Sequence, residues 1–326
     1  MDETALSPDL HPLLTAYVIG LLGKNGVTTL ESFFEINGGR LAKIANLPPI
    51  AFVSVRSQLA QQLTPLIQSA ASLANRERRP IVTGITELDK LLKGGLRPGH
   101  IYELCGDSCT GKTQLCHTLA ANVAFTSSNR PVYYIDTKCA FSAIKIQQIL
   151  ERQHKDLTER SLARTLDNIK VERVFNPELL LQAIQQLAKN KRAEDDPAPA
   201  LLIINSIPSL WYLPLRSGSP LGSVGFLRAL ICALRRFAAE HSVAVVLVNI
   251  TLRSQGGAKA SERKLTPSGS YLAMGKSWES APDTRLLLLT KRKTNDNGER
   301  IVQVWKSKHL RTGAKATVRI TDAGIN

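Results

Sequence analysis

The chain has 326 residues, 43% of them hydrophobic, which is enough apolar material for one large core and a small second one. A formal charge of +15 points to a polyanionic partner such as DNA, RNA or an anionic membrane surface. The membrane then drops out: Met1-Asp2-Glu3 opens acidic, unlike a signal peptide, and no apolar run approaches the roughly 20 residues of a spanning helix.

Residues 1–74 read as a small, nearly neutral helical domain. Leu13, Leu14, Val18, Leu21 and Leu22 recur with helical spacing, and Thr28 or Thr29 can cap the next helix after Gly26. Gly38-Gly39 and Leu47-Pro48-Pro49 punctuate two short elements, and Phe52 to Ala70 forms a longer helix that Pro65 can kink. A polar, basic linker over residues 75–80 leads into the remainder, residues 81–326.

From Ile81 the pattern alternates strand and helix. Ile101–Cys105, Val132–Ile135, Leu201–Ile204, Val243–Val248 and Arg285–Leu289 are short apolar runs of the kind buried on both faces of a mostly parallel sheet. Helical stretches at Ile144–Leu150, Pro177–Ala188 and Phe226–Glu240 lie between them, so the fold class is α/β with ligands at the carboxyl ends of the strands. Beyond Leu289 the strands look antiparallel and basic, joined by a hairpin-like turn at Thr294–Gly298.

Gly106-Asp107-Ser108-Cys109-Thr110-Gly111-Lys112-Thr113 fits the G-x-x-x-x-G-K-[ST] phosphate loop at every constrained position, with Gln114 opening the helix behind it. The glycines let successive N–H groups face a phosphate, Lys112 adds positive charge at the β- and γ-phosphates, and Thr113 offers a hydroxyl to Mg²⁺. Five cysteines, Cys105, Cys109, Cys116, Cys139 and Cys232, form no C-x-x-C pair and read as reduced core thiols.

The segment Thr83–Gly99, running straight into the phosphate loop, resembles the entry to the RecA-type recombinase core. The resemblance continues through Tyr134–Thr137, Leu201–Ser206, Val245–Asn249 and Ala273–Trp278 to Ile320–Gly324, so it covers nearly all of residues 81–326. The helical N-terminal unit is similar to the domain that precedes this core in eukaryotic recombinases and their paralogues. The Gly275–Trp278 and Asp283-Thr284-Arg285 regions resemble the D-type paralogue in particular. The resemblance implies a RecA-like P-loop core that binds ATP and Mg²⁺, a nuclear role in homologous recombination and DNA repair, and single-stranded DNA as a partner. It also implies hetero-oligomers with other recombinase paralogues that load or stabilise the strand-exchange recombinase. The rival class is a self-assembling DNA-dependent ATPase that performs strand exchange, but its subunit-docking Phe-x-x-Ala segment has no counterpart in Ala70–Pro80. A small-molecule kinase is a third class, and it leaves the charge excess without a role.

Three positions depart from the family pattern. Lys138 stands where an acid after the Asp-Thr pair would activate water, and a protonated lysine cannot act as that base. Asn205 replaces the aspartate that anchors the metal's hydration shell, and Ile250 replaces a γ-phosphate sensor. If the alignment is shifted by one residue, Asp136 is the fallback base. Binding without efficient hydrolysis by the isolated chain is the expectation.

By resemblance, two loops face single-stranded DNA. The first, about 210–224, offers Trp211, Tyr212 and Arg216 for base stacking and cation–π contact, with packing into the core or a neighbouring subunit as the competing reading. The second, about 251–276, carries Arg253, Lys259, Arg263, Lys264 and Lys276, suited to tracking a phosphate backbone. Lys291-Arg292-Lys293 reads either as part of the same field or as a nuclear import patch.

Overall fold

The structure is a computed structural model that describes residues 6–63, 79–127, 129–189, 198–211, 224–253, 270–275, 278–290 and 298–326. The chain divides into two compact units, residues 1–76 and 77–326.

The first unit contains helices α1 (Ala16–Lys24), α2 (Leu30–Glu35), α3 (Gly38–Ala45) and α4 (Pro49–Leu63). Thr29 caps α2 in a reciprocal capping box with Ser32. Leu13 and Leu14 precede α1 rather than belonging to it, although Leu14 still reaches the core. That core gathers Leu22, Phe33, Leu41, Phe52 and Leu59. Arg56 of α4 donates to the carbonyls of Phe33 at 2.6 Å and of Ile36, satisfying the open end of α2. Helix α4 starts at Pro49, where a missing N–H costs nothing, and Pro65 lies outside the described residues.

The second unit is built on one large sheet. Its strands are β1 (Ile101–Cys105), β2 (Val132–Asp136), β3 (Ile169–Arg173), β4 (Leu201–Asn205), β5 (Ala244–Val248), β8 (Thr284–Thr290), β9 (Glu299–Ser307), β10 (Lys315–Thr321) and β11 (Gly324–Ile325). They lie in the order β11-β10-β9-β8-β1-β5-β4-β2-β3. Pairings from β8 to β3 are parallel, and those from β8 outward to β11 are antiparallel. A separate two-stranded ribbon pairs β6 (Thr251–Arg253) with β7 (Ser270–Leu272).

Alternation along the strands sorts the core into two faces. Tyr102, Tyr134, Leu201, Ile203 and Val246 face one side, with α6 (Lys112–Thr126) and α7 (Ala143–Gln153) packed over them. Ile135, Leu202, Ile204, Val245 and Leu247 face the other, beneath α9 (Pro177–Lys189) and α10 (Val224–His241). The remaining helices are α5 (Thr86–Leu91) and α8 (Glu159–Asp167), the latter leading into β3. No described helix is long and apolar enough to cross a membrane.

Three expectations need correction. Strand β9 is not a purely exposed basic segment, because Val302, Val304 and Trp305 turn inward. The turn at Thr294–Asn297 lies outside the described residues. Only Cys105 and Cys116 are core thiols; Cys109, Cys139 and Cys232 are exposed, and all five are free. Trp211 departs furthest: a helical turn after β4 carries its ring into the second core face, where it is fully buried with Leu210, Leu230 and Phe237. It is a core residue, unavailable for base stacking. Trp211→Ala is therefore expected to cost about 3–5 kcal/mol of stability, read by denaturant unfolding; a change within about 0.5 kcal/mol, as at a solvent-facing stacking site, would contradict this placement.

Candidate functional site

Parallel strands β1, β5, β4 and β2 end on one edge, which brings together residues far apart in sequence. Asp136 and Asn205 are register partners there, and the Asn249 N–H donates to Leu104 O at 2.9 Å. The loop leaving β1 at this edge is the predicted phosphate loop. Gly106 (φ +150°) passes so close to β8 that a Cβ would meet Leu288 O at 2.4 Å, and at Gly111 (φ +99°) one would meet the Ile320 Cδ1 at 2.7 Å. Side chains at either position would push the loop off its path. Helix α6 begins at Lys112 behind Gly111, which offers no side-chain cap, so the N–H groups of its first turn stay open to an anion.

Lys112 is buried, and its Nζ donates to Gly106 O at 2.8 Å, Asp107 O at 2.6 Å and Thr110 Oγ1 at 3.2 Å. Burial lowers its ionisation to about 8, and the charge of Lys138 adds to the fall while Asp107 opposes it. Thr113 and Gln114 follow on the first turn, half-buried. A helix N-terminus, two enforced glycines and a buried ammonium together fit a polyphosphate.

The surrounding acids are engaged elsewhere. Asp136 is fully buried, and its carboxylate accepts the N–H of Lys138 at 3.2 Å and of Phe141 at 2.8 Å, fixing the turn after β2. The fallback base is thus a structural acceptor without access to an attacking water. Lys138 is exposed at the same strand end. Asn205 is fully buried; its Nδ2 donates to Tyr134 Oη at 2.9 Å, and its Oδ1 has no hydrogen-bond partner. The peptide from Asn205 to Ser206 is cis.

Two acids that sequence reasoning missed tie the loop to the segment after β5. Glu103 of β1 is fully buried, and its carboxylate accepts Asn249 Nδ2 at 2.6 Å, Trp278 Nε1 at 2.7 Å and the Arg285 Nε. Arg285 also lies 5.6 Å above the Trp305 ring. Asp107, inside the phosphate loop, accepts from the Thr251 hydroxyl on β6 and from Ser270 Oγ on β7 at 3.4 Å. Ile250, the position without a polar sensor, donates its N–H to Asn249 Oδ1 at 2.7 Å. A lone acid in the apolar run Ile101–Cys105 was the available signal for Glu103.

A family model described as Rad51 matches residues 76–326. The chain belongs to the Rad51 family. Similar full-length relatives are the DNA repair protein RAD51 homolog 4 of Bos taurus and of Mus musculus. Each is 29% identical over 98% of this chain, covering 96% and 95% of those proteins. The DNA repair protein Rad51 homolog of Drosophila melanogaster is 31% identical over 79% of this chain and 77% of its own length. Among solved structures, the RadB recombinase shares the fold with a TM-score of 0.57 and 22% identity, over 75% of this chain and 98% of that one. The RecA-like core and the D-type resemblance are thus in accord with these matches.

Of the Rad51-family DNA-facing residues expected from sequence, Arg253 ends β6 opposite Ser270. Tyr212, Arg216, Lys259, Arg263, Lys264 and Lys276 lie outside the described residues, as do Lys291-Arg292-Lys293. The titration of Lys112 gives the cradle a measurable signature. Phosphate oxygens favour the charged ammonium, so above about pH 8 binding takes up a proton. Triphosphate affinity is expected to fall as pH rises from about 7.5 to about 9.5, by at most about tenfold per unit. An affinity in equilibrium binding that is flat or rises over that range would contradict the assignment.

Proposed function

We propose that this chain is an ATP-binding, DNA-binding accessory protein of homologous recombination and double-strand break repair. It acts in the nucleus within a complex of recombinase paralogues that helps the strand-exchange recombinase assemble on single-stranded DNA. One observation carries the reading: the phosphate cradle is complete, whereas the acid at the end of β2 is buried and capped by backbone N–H groups, with Lys138 beside it. Nucleotide then serves as a ligand that braces the molecule, and hydrolysis by the isolated chain is weak or absent.

The names of the relatives support the repair role, and the formal charge of +15 supports a nucleic-acid partner. Strand β3 ends the sheet with exposed Lys170, Val171, Glu172 and Arg173, followed by exposed Phe175 and Leu179. An open strand edge flanked by apolar side chains supports a protein partner there.

Two measurements on the full chain test the proposal. Lys112→Ala is expected to weaken triphosphate binding by about tenfold or more, because it removes a charge-assisted phosphate contact. Affinity for a single-stranded oligonucleotide, followed by fluorescence anisotropy, is expected to fall steeply and log-linearly with salt. Nucleotide binding unchanged by the substitution, or no oligonucleotide binding at low salt, would refute the corresponding half of the reading.

A further inference from the structure

A bound triphosphate needs counter-charge, and the residues around the cradle supply it in an unusual way. Divalent cations such as Mg²⁺ take hard oxygen donors, preferably charged carboxylates. Each described acid beside the loop already has other partners. Asp136 caps its own turn, Asp107 is bound to Thr251 and Ser270, and Glu103 is neutralised by Arg285. Asn205, facing Asp136 across the register, is neutral. Among the described residues no group of three His, Cys, Asp or Glu side chains could hold a metal. That leaves Thr113 with a hydroxyl and no carboxylate to assist it, and the residues present do not fit a protein-anchored Mg²⁺.

Cations occupy the same place. Lys112 sits at the start of α6 inside the loop, and Lys138 follows the end of β2, exposed. No carboxylate pairs with Lys138 among the described residues. The charge of Lys138 is felt both at Lys112 and at Cys116, one turn further along α6, so its ammonium lies over the helix N-terminus. A metal ion entering there would meet two like charges before reaching a phosphate.

We infer that this site holds the nucleoside triphosphate as the free polyanion between Lys112 and Lys138, with Lys138 as a second phosphate ligand and no requirement for a divalent cation. The inference rests on the nucleotide-binding reading above and changes what that binding needs. Two ammonium groups take the place of one lysine plus a metal. Lys138 thereby acquires a positive role instead of marking only a lost base.

The test is titration of the full chain with mant-ATP in Mg²⁺ buffer and in EDTA. Dissociation constants within about fivefold of each other are expected, and a weakening in EDTA of about fivefold or more overturns the inference. In the Lys138→Glu variant, binding in EDTA is expected to weaken by about tenfold or more, with Mg²⁺ recovering most of the loss. Equal affinity in both buffers for that variant removes the role given to Lys138. Its side chain is exposed, so an unchanged thermal midpoint verifies the fold. Binding that strictly needs Mg²⁺ sinks this inference and leaves the nucleotide reading standing. Failure to bind in either buffer, with no difference from Lys112→Ala, sinks both.

Discussion

The buried carboxylate of Glu103 is the point from which the site is organised. It lies on β1, three residues before the phosphate loop, and takes hydrogen bonds from Asn249 after β5, from Trp278 ahead of β8 and from Arg285 within β8. A charge in a dry sheet is tolerable only when its partners compensate it. Removing one partner from such a pair typically costs about 3–5 kcal/mol, because the other charge stays buried. Glu103 therefore fixes the line along which β1 delivers Gly106, and with it the path that leaves room for neither a Cβ at Gly106 nor one at Gly111.

Asp107 extends this arrangement by one step. Through Thr251 and Ser270 it joins the phosphate loop to both strands of the β6–β7 ribbon, and the Thr251 N–H also donates to Gly106 O at 3.3 Å. A ligand that moves the loop acts directly on the ribbon, with no need of a polar side chain at Ile250. The same contacts explain the chemical balance of the site. Acids that could have anchored a metal or activated water are committed to holding the scaffold, and the groups left to face a polyanion are Lys112 and Lys138. Such a centre is suited to gripping phosphate more than to transferring it.

Much of this was legible in the sequence because the signals are local. The glycine spacing of residues 106–113, the apolar strand runs and the helical stretches each declare themselves within a dozen residues. Departures at Lys138, Asn205 and Ile250 needed only the strand ends as landmarks. What stayed hidden depends on distance. Glu103 meets partners 146, 175 and 182 positions away, so no window of sequence contains the network. Trp211 read as a loop aromatic because nothing nearby announces the turn that folds it inward. Asp136 looked available because a strand end is usually open, and only the return of Phe141 closes it. Helix α8 and strand β3 were missed for a related reason: both are largely exposed and charged, so they lack the apolar runs that marked the other elements.

The central claim is that nucleotide is held here and not turned over. The most direct measurement is phosphate release by the purified full chain under saturating ATP, with and without single-stranded DNA. The account predicts stoichiometrically bound, intact ATP and no turnover above background in either condition. Brisk, DNA-stimulated phosphate release would contradict it and return Asp136 or an unrecognised group to the role of base.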